Sequence, residues 1–173
     1  MEQIDQDMIA AGIAVATFSA LMVIAALHDV TSFTIPNRLI LWLGGAYALL
    51  APLAGFGLRE MAFSLGLAAM VFFITVAAFA LGWMGGGDSK LLTVAALWLG
   101  PATLPQFLIL TMALGGLLAL SMLTLRLLPA SLAGPEGGWL GRLKSPESGV
   151  PYGLPIGIAA LLTLPQTGWM AGF

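Results

Sequence analysis

The sequence contains no cysteine and a single histidine, His28, and these shortages exclude several kinds of active site. Without cysteine the chain forms no disulfide, thiolate nucleophile, thiolate zinc site or iron–sulfur cluster. One histidine argues against a histidine-based metal centre. We therefore predict neither a metal nor another cofactor, and any chemistry must rest on other side chains.

Charged residues are also scarce. They make up 8% of the 173 residues and hydrophobic residues 60%, whereas roughly a quarter of an ordinary soluble domain is charged. The net charge is −2 and no basic cluster is present, so nucleic acid, which binds clustered lysine and arginine, is not an expected partner. The composition is typical of a polytopic membrane protein in contact with the lipid bilayer. We expect a single domain over residues 1–173, and the sequence predicts no oligomeric state.

Long apolar runs separated by glycine, proline and charge predict an all-α fold with about six transmembrane helices. These spans are expected near 8–27, 37–56, 61–82, 88–100, 105–126 and 151–170, with a polar loop at 128–149. The acidic start before the first run favours a retained helix over a cleaved secretory signal. The pairs Gly44-Gly45 and Gly115-Gly116 are expected to be helix-packing surfaces, and Trp169 is expected in an interfacial aromatic belt.

Basic residues are divided unequally between the two faces that six spans define. One face receives Arg38, Lys90, Arg126, Arg142 and Lys144, and the other receives Arg59 alone. The positive-inside rule places the larger group in the cytoplasm. Both termini then lie on the outer, periplasmic side, while Asp29 and Asp88 share the cytoplasmic face.

An acid at the edge of a membrane is the main chemical signal in the chain. Asp88 follows Gly85, Gly86 and Gly87 between two apolar runs. An ionisable group bordering lipid is retained chiefly where it faces a polar cavity, a partner or a substrate path. Glycines without Cβ atoms let the backbone approach a substrate, and an extended peptide needs exposed backbone to bind.

Asp29 and Asp88 can form an aspartyl dyad that shares one proton. The ionised carboxylate would activate water, and the protonated one would polarise a scissile carbonyl. Two other interpretations stay open from the residues alone. Asp88 can cap the fourth helix while Asp29 is a helix-end charge among lipid headgroups, or both acids can carry protons or a cation in a transporter or an assembly component.

Several motifs are spread over nearly the whole chain. They are Asp29 with Ile35-Pro36-Asn37, then the run from Gly85 to Leu92 with Ala96-Leu97-Trp98-Leu99-Gly100, then Val150-Pro151-Tyr152-Gly153. Together they resemble the type IV prepilin peptidases, specifically the small form that serves tight-adherence (Flp pilus) systems. The presenilin and signal-peptide-peptidase type shares Gly-x-Gly-Asp but has Tyr-Asp and Pro-Ala-Leu where this chain has His28-Asp29 and Pro151-Tyr152-Gly153. It remains the alternative.

The resemblance implies a membrane-embedded aspartic endopeptidase of the bacterial inner membrane. Asp29 and Asp88 would be its catalytic pair, and it would remove the short basic leader of prepilin or pseudopilin substrates at the cytoplasmic face. We expect Lys90, Gly85, Gly86, Gly87, Pro151, Tyr152 and Gly153 to bind the substrate, with Lys90 holding a glutamate that prepilins carry shortly after the cleaved bond. Larger relatives have a cysteine-bearing insertion and methylate the new N-terminus. This chain lacks that insertion, so methyltransferase activity is not expected.

Overall fold

The structure is a computed structural model that describes residues 2–127 and 149–171. All regular elements in these ranges are helical. They are α1 (Glu2–Ser32), α2 (Asn37–Leu53), α3 (Leu58–Ala80), α4 (Gly86–Leu127), α5 (Gly153–Thr163) and the short 3₁₀ helices Leu164–Gln166 and Gly168–Met170. The predicted all-α class is confirmed. Three segments, Asp5–Ser32, Leu58–Ala80 and Gly86–Leu127, are long and apolar enough to cross a membrane, while the number of spans and the side of the termini stay predictions.

Two predicted helix boundaries need correction. The first helix does not end near residue 27, because its backbone hydrogen bonds continue until the Phe33 N–H donates to the Asp29 carbonyl at 2.7 Å. Asp29 is therefore part of a helix. The last predicted span, 151–170, is α-helical only over Gly153–Thr163. Pro165 lacks an N–H and so favours the 3₁₀ turns that follow.

Gly100 divides α4 into two halves. Its φ of 71° and ψ of −179° are strained for a residue with a Cβ, and Pro101 then starts the second half with a φ that suits a first helical turn. The predicted break at residue 100 is confirmed, although the second half begins before residue 105. Pro101 lies near Arg59 at the start of α3, whereas Gly115 lies against Tyr152 just before α5. The chain thus reverses direction at Gly100.

An aromatic cluster joins the elements at the end of the bundle away from the start of α4. The ring of Trp98 lies 5.0 Å from that of Phe18, 5.7 Å from that of Tyr47 and 4.9 Å from that of Trp169. The Trp169 indole N–H donates to the Trp98 carbonyl at 2.8 Å. Trp169 is 1% exposed, so its side chain packs inside the bundle and its N–H has a buried backbone acceptor. Its place at the membrane interface stays a prediction.

The expected glycine packing surfaces are mostly open. A Cβ added to Gly44, Gly45 or Gly116 would meet no atom within 4 Å. Only Gly115 is closely covered, by the ring of Tyr152. Among the described residues, close packing is therefore seen at Gly115, and the packing role of Gly44, Gly45 and Gly116 stays a prediction.

Candidate active site

Five helix ends meet around one polar cavity of about 580 Å³. The end of α1 contributes Asp29, the start of α2 contributes Asn37, and the start of α4 contributes Asp88 and Lys90. The turn after α3 and the segment before α5 complete the wall. Residues far apart in the sequence are thus gathered at one end of the bundle, with both predicted acids among them.

Asp29 lies in the last turn of α1 and is only 4% exposed. The Gly153 backbone N–H donates to its Oδ2 at 2.6 Å. A Cβ on Gly153 would lie 2.7 Å from the Asp29 Cβ, so only glycine fits this approach without displacing the acid. Gly153 and Pro151 are both buried and neither lines the cavity. Gly153 therefore supports Asp29 from behind the cavity wall.

Asp88 lies in the first turn of α4 and is 8% exposed. It lines the same cavity as Asp29 and is close enough to interact with it electrostatically. Two carboxylates in this arrangement can share one proton. Such a pair can activate a water molecule with one group and donate a hydrogen bond to a carbonyl with the other.

The three glycines before Asp88 line the cavity and also permit close packing. A Cβ on Gly85 would lie 2.8 Å from Asp88 Oδ2. On Gly86 it would lie 3.3 Å from the Phe79 ring, and on Gly87 3.3 Å from the Ile35 Cβ. Gly86 and Gly87 already belong to α4. The predicted span 88–100 therefore begins two residues earlier, at Gly86.

Lys90 is exposed at the cavity, and its ammonium donates to Asn37 Oδ1 at 2.9 Å. This bond ties the start of α4 to the start of α2. Of the other predicted binding residues, Tyr152 lines the cavity and its ring covers Gly115.

The turn between α1 and α2 contributes residues that were not predicted as part of the site. Phe33, Thr34 and Ile35 of this turn line the cavity, together with Asn37, the first residue of α2. Phe33 has a φ of 54°, an uncommon value for a residue with a side chain. His28 Nδ1 lies 2.9 Å from the Thr34 carbonyl oxygen, which holds this turn. The Ile-Pro-Asn motif was a signal for these residues, but the sequence alone did not place it in the site.

Some predicted features lie outside the described residues. They are the loop 128–149 apart from Gly149, and the bases Arg142 and Lys144 within it. Across residues 2–127 and 149–171, no group of three or more histidine, aspartate or glutamate side chains is placed to hold a metal ion.

One comparison with known proteins finds a match. A family model described as the type IV leader peptidase family matches residues 16–120, more than half of the chain, and this range includes both Asp29 and Asp88. No curated protein and no solved structure matches the chain.

Proposed function

The chain belongs to the type IV leader peptidase family, and from this premise we propose that it is an aspartic endopeptidase with Asp29 and Asp88 as its catalytic pair. Membership of the family indicates a peptidase that acts on prepilin-like substrates. The observation that carries the aspartic mechanism is the position of two largely buried carboxylates on one cavity.

In this mechanism the two carboxylates share one proton when substrate binds. The ionised group removes a proton from water as the water oxygen attacks the scissile carbonyl carbon. The protonated group donates a hydrogen bond to the carbonyl oxygen, where negative charge develops. Collapse of the tetrahedral intermediate breaks the C–N bond, and a proton passes from the dyad to the leaving amine.

The cavity wall offers a substrate site beside the dyad. Lys90, Gly85, Gly86, Gly87 and Tyr152 line it, and we assign substrate contacts to them. Pro151 and Gly153 do not line the cavity, so we assign no substrate contact to them. The Gly153 N–H stabilises negative charge on Asp29.

The finer proposal concerns the substrate and the membrane side. We infer that the substrates are Flp-type prepilins or pseudopilins and that cleavage takes place at the cytoplasmic face of the bacterial inner membrane. The motifs and the distribution of bases support this. Methyltransferase activity is not part of the proposal, because the chain lacks the cysteine-bearing insertion of larger relatives.

Asp29→Asn and Asp88→Asn test the proposal directly. The purified variants are incubated in detergent with a prepilin, and loss of the leader is followed by mass spectrometry. Each should lower the rate by roughly a thousandfold or more, because an amide keeps the shape of the acid but cannot exchange the dyad proton. Asp7→Asn, which removes a carboxylate at the opposite end of the bundle, is the matched control and should cleave normally.

Appreciable cleavage by either dyad variant, with Asp7→Asn active, would remove that residue from the mechanism. Thermal unfolding of each variant shows whether a loss of rate reflects a loss of fold. Strong inhibition by a metal chelator would point to a metal site. Absence of cleavage by the native protein, together with proton or cation flux in liposomes, would favour the transporter interpretation.

A further inference from the structure

A second cavity, of about 340 Å³, opens on the side of the bundle next to the candidate active site. Val94 and Leu97 of α4 form its floor. Ile40 and Gly44 of α2 line one side, and Leu65 and Phe72 of α3 line the other. Both α2 and α3 pack on α4, and this lateral groove is the space left between them.

The lateral groove adjoins the active-site cavity, because Lys90 lines both. From Lys90 the floor follows α4 to Leu97, which is about 10 Å at 1.5 Å per residue. A chain that leaves the dyad past Lys90 therefore enters the groove and runs along α4 for about two helical turns.

The chemistry of the groove selects the kind of segment that fits it. Apart from the Lys90 and Thr93 side chains, its lining consists of apolar side chains and Gly44. Leu65 is 63% exposed and Phe72 is 41% exposed, so the walls face outward. A backbone in such a place has no polar partners and must satisfy its own hydrogen bonds, as a helix does. Small residues such as Gly44 and Ala69 let a second helix approach closely.

We propose that the lateral groove holds a helical, apolar segment of the substrate adjacent to the scissile bond. This proposal rests on the proposed function. The groove fixes the position of the substrate helix along α4, and the bond to be cut then lies across the dyad. Its occupant is a transmembrane or interfacial helix of the substrate, and lipid alone is the competing outcome.

Gly44 and Gly45 offer a matched pair for the test, because an added Cβ meets no atom within 4 Å at either and only Gly44 lines the groove. We expect Gly44→Leu to fill the groove and to lower kcat/KM for a full-length prepilin by about tenfold or more, mainly through KM. Cleavage of a soluble leader peptide without the apolar segment should be unchanged. Gly45→Leu should match the native protein on both substrates.

The absence of cysteine from the chain makes cross-linking a second test that needs no cleavage. Gly44→Cys and Gly45→Cys are each mixed with a prepilin carrying one cysteine in its apolar segment and oxidised with copper phenanthroline. A disulfide with Gly44→Cys and not with Gly45→Cys supports the proposal. The proposal would be overturned if cross-linking is equal or absent at the two positions and the two leucine variants have equal effects. In that case lipid alone fills the groove.

The two tests separate this inference from the proposed function. Native protein that cleaves no prepilin would contradict the proposed function, even if the Gly44→Cys cross-link forms. If the native protein cleaves normally and Gly44→Leu and Gly45→Leu are indistinguishable from it, only the proposal that the groove binds the substrate helix is contradicted.

Discussion

Each acid of the candidate site lies against a glycine. The Gly153 N–H donates to Asp29, and a Cβ on Gly85 would lie 2.8 Å from Asp88 Oδ2. Gly153 is the first residue of α5 and Gly85 directly precedes α4, so backbone anchored by a helix loses little entropy when it holds a carboxylate. A long, flexible side chain in the same place would lose more. The missing Cβ atoms thus let rigid backbone position both carboxylates.

Lys90 is the residue that we expect to select the substrate. A cation near the start of a helix is unfavourable, because the helix N-terminus is already partly positive. Within the described part of the chain, the hydrogen-bond acceptor of Lys90 is the neutral Asn37 amide. A substrate glutamate would supply the opposite charge. We predict that Lys90→Met slows cleavage of a normal prepilin by about tenfold to a hundredfold, the equivalent of ~1.5–3 kcal/mol for a charge-assisted hydrogen bond.

A double-mutant cycle with the substrate glutamate replaced by glutamine measures this interaction. Lys90→Met should have little effect on the altered substrate, and Lys90→Arg should partly restore cleavage of the normal one. If the losses from the two changes simply add, the two groups do not interact, and Lys90 serves only as a topology anchor.

The two halves of α4 have separate tasks. The first half carries Asp88 and Lys90 at the cavity and ends at Gly100 near the start of α3. The second half returns and places Gly115 beneath the ring of Tyr152, which lines the cavity. The reversal at Gly100 therefore lets one continuous run of residues support the site from two directions.

Alanine variants at Gly115 and Gly116 test whether the position of the Tyr152 ring matters for substrate binding. Both lie inside α4, so alanine raises helix propensity by about the same amount, up to ~1 kcal/mol, at either position. A Cβ at Gly115 would overlap the Tyr152 ring, whereas one at Gly116 meets nothing within 4 Å. We predict that Gly115→Ala pushes Tyr152 into the cavity and raises KM by roughly tenfold, while Gly116→Ala behaves as the native protein. Equal kinetic constants for the two variants would show that the position of Tyr152 does not matter.

The start of α1 and the 3₁₀ helices that follow α5 lie at the end of the bundle opposite to Asp29 and Asp88. A Cβ on Gly55 would lie 3.3 Å from Asp7 Oδ2 near the start of α1. Phe56 and Trp169 stack next to this position, with their ring centroids 4.4 Å apart. Asp29 and Asp88 lie at the other end, where α1 finishes and α4 begins. The side of the membrane that each end faces follows from the positive-inside rule and stays a prediction.

Cysteine labelling in cells tests that orientation. With no native cysteine in the background, cysteine at Gln3 should react with a membrane-impermeant maleimide in intact cells, after the outer membrane is made permeable. Cysteine at Ser148 should react only after the inner membrane is opened, because five of the six bases then lie in the cytoplasm. The reverse pattern would put the dyad on the periplasmic side and exclude a cytoplasmic leader as its substrate.

Composition and local breaks determined the class of the protein. Long apolar runs and scarce charge predicted a helical membrane protein, because these signals act within one helix and need no knowledge of its neighbours. Gly100-Pro101 predicted a helix break for the same reason, since φ at glycine and proline is a local property. Asp29 and Asp88 were identified because an ionised side chain is unfavourable next to lipid and because of the motifs around them.

Only the tertiary structure decided how these elements meet. The contacts of Gly153 with Asp29, Asn37 with Lys90 and Ile35 with Gly87 each join different helices. Helix packing in a membrane depends on shape, and many pairings of apolar helices satisfy the same composition. Gly44 and Gly115 belong to glycine pairs that look equivalent in the sequence, yet one is open to the lateral groove and the other is covered by Tyr152. That difference arises because the second half of α4 folds back onto the residues before α5, a contact that no local pattern encodes.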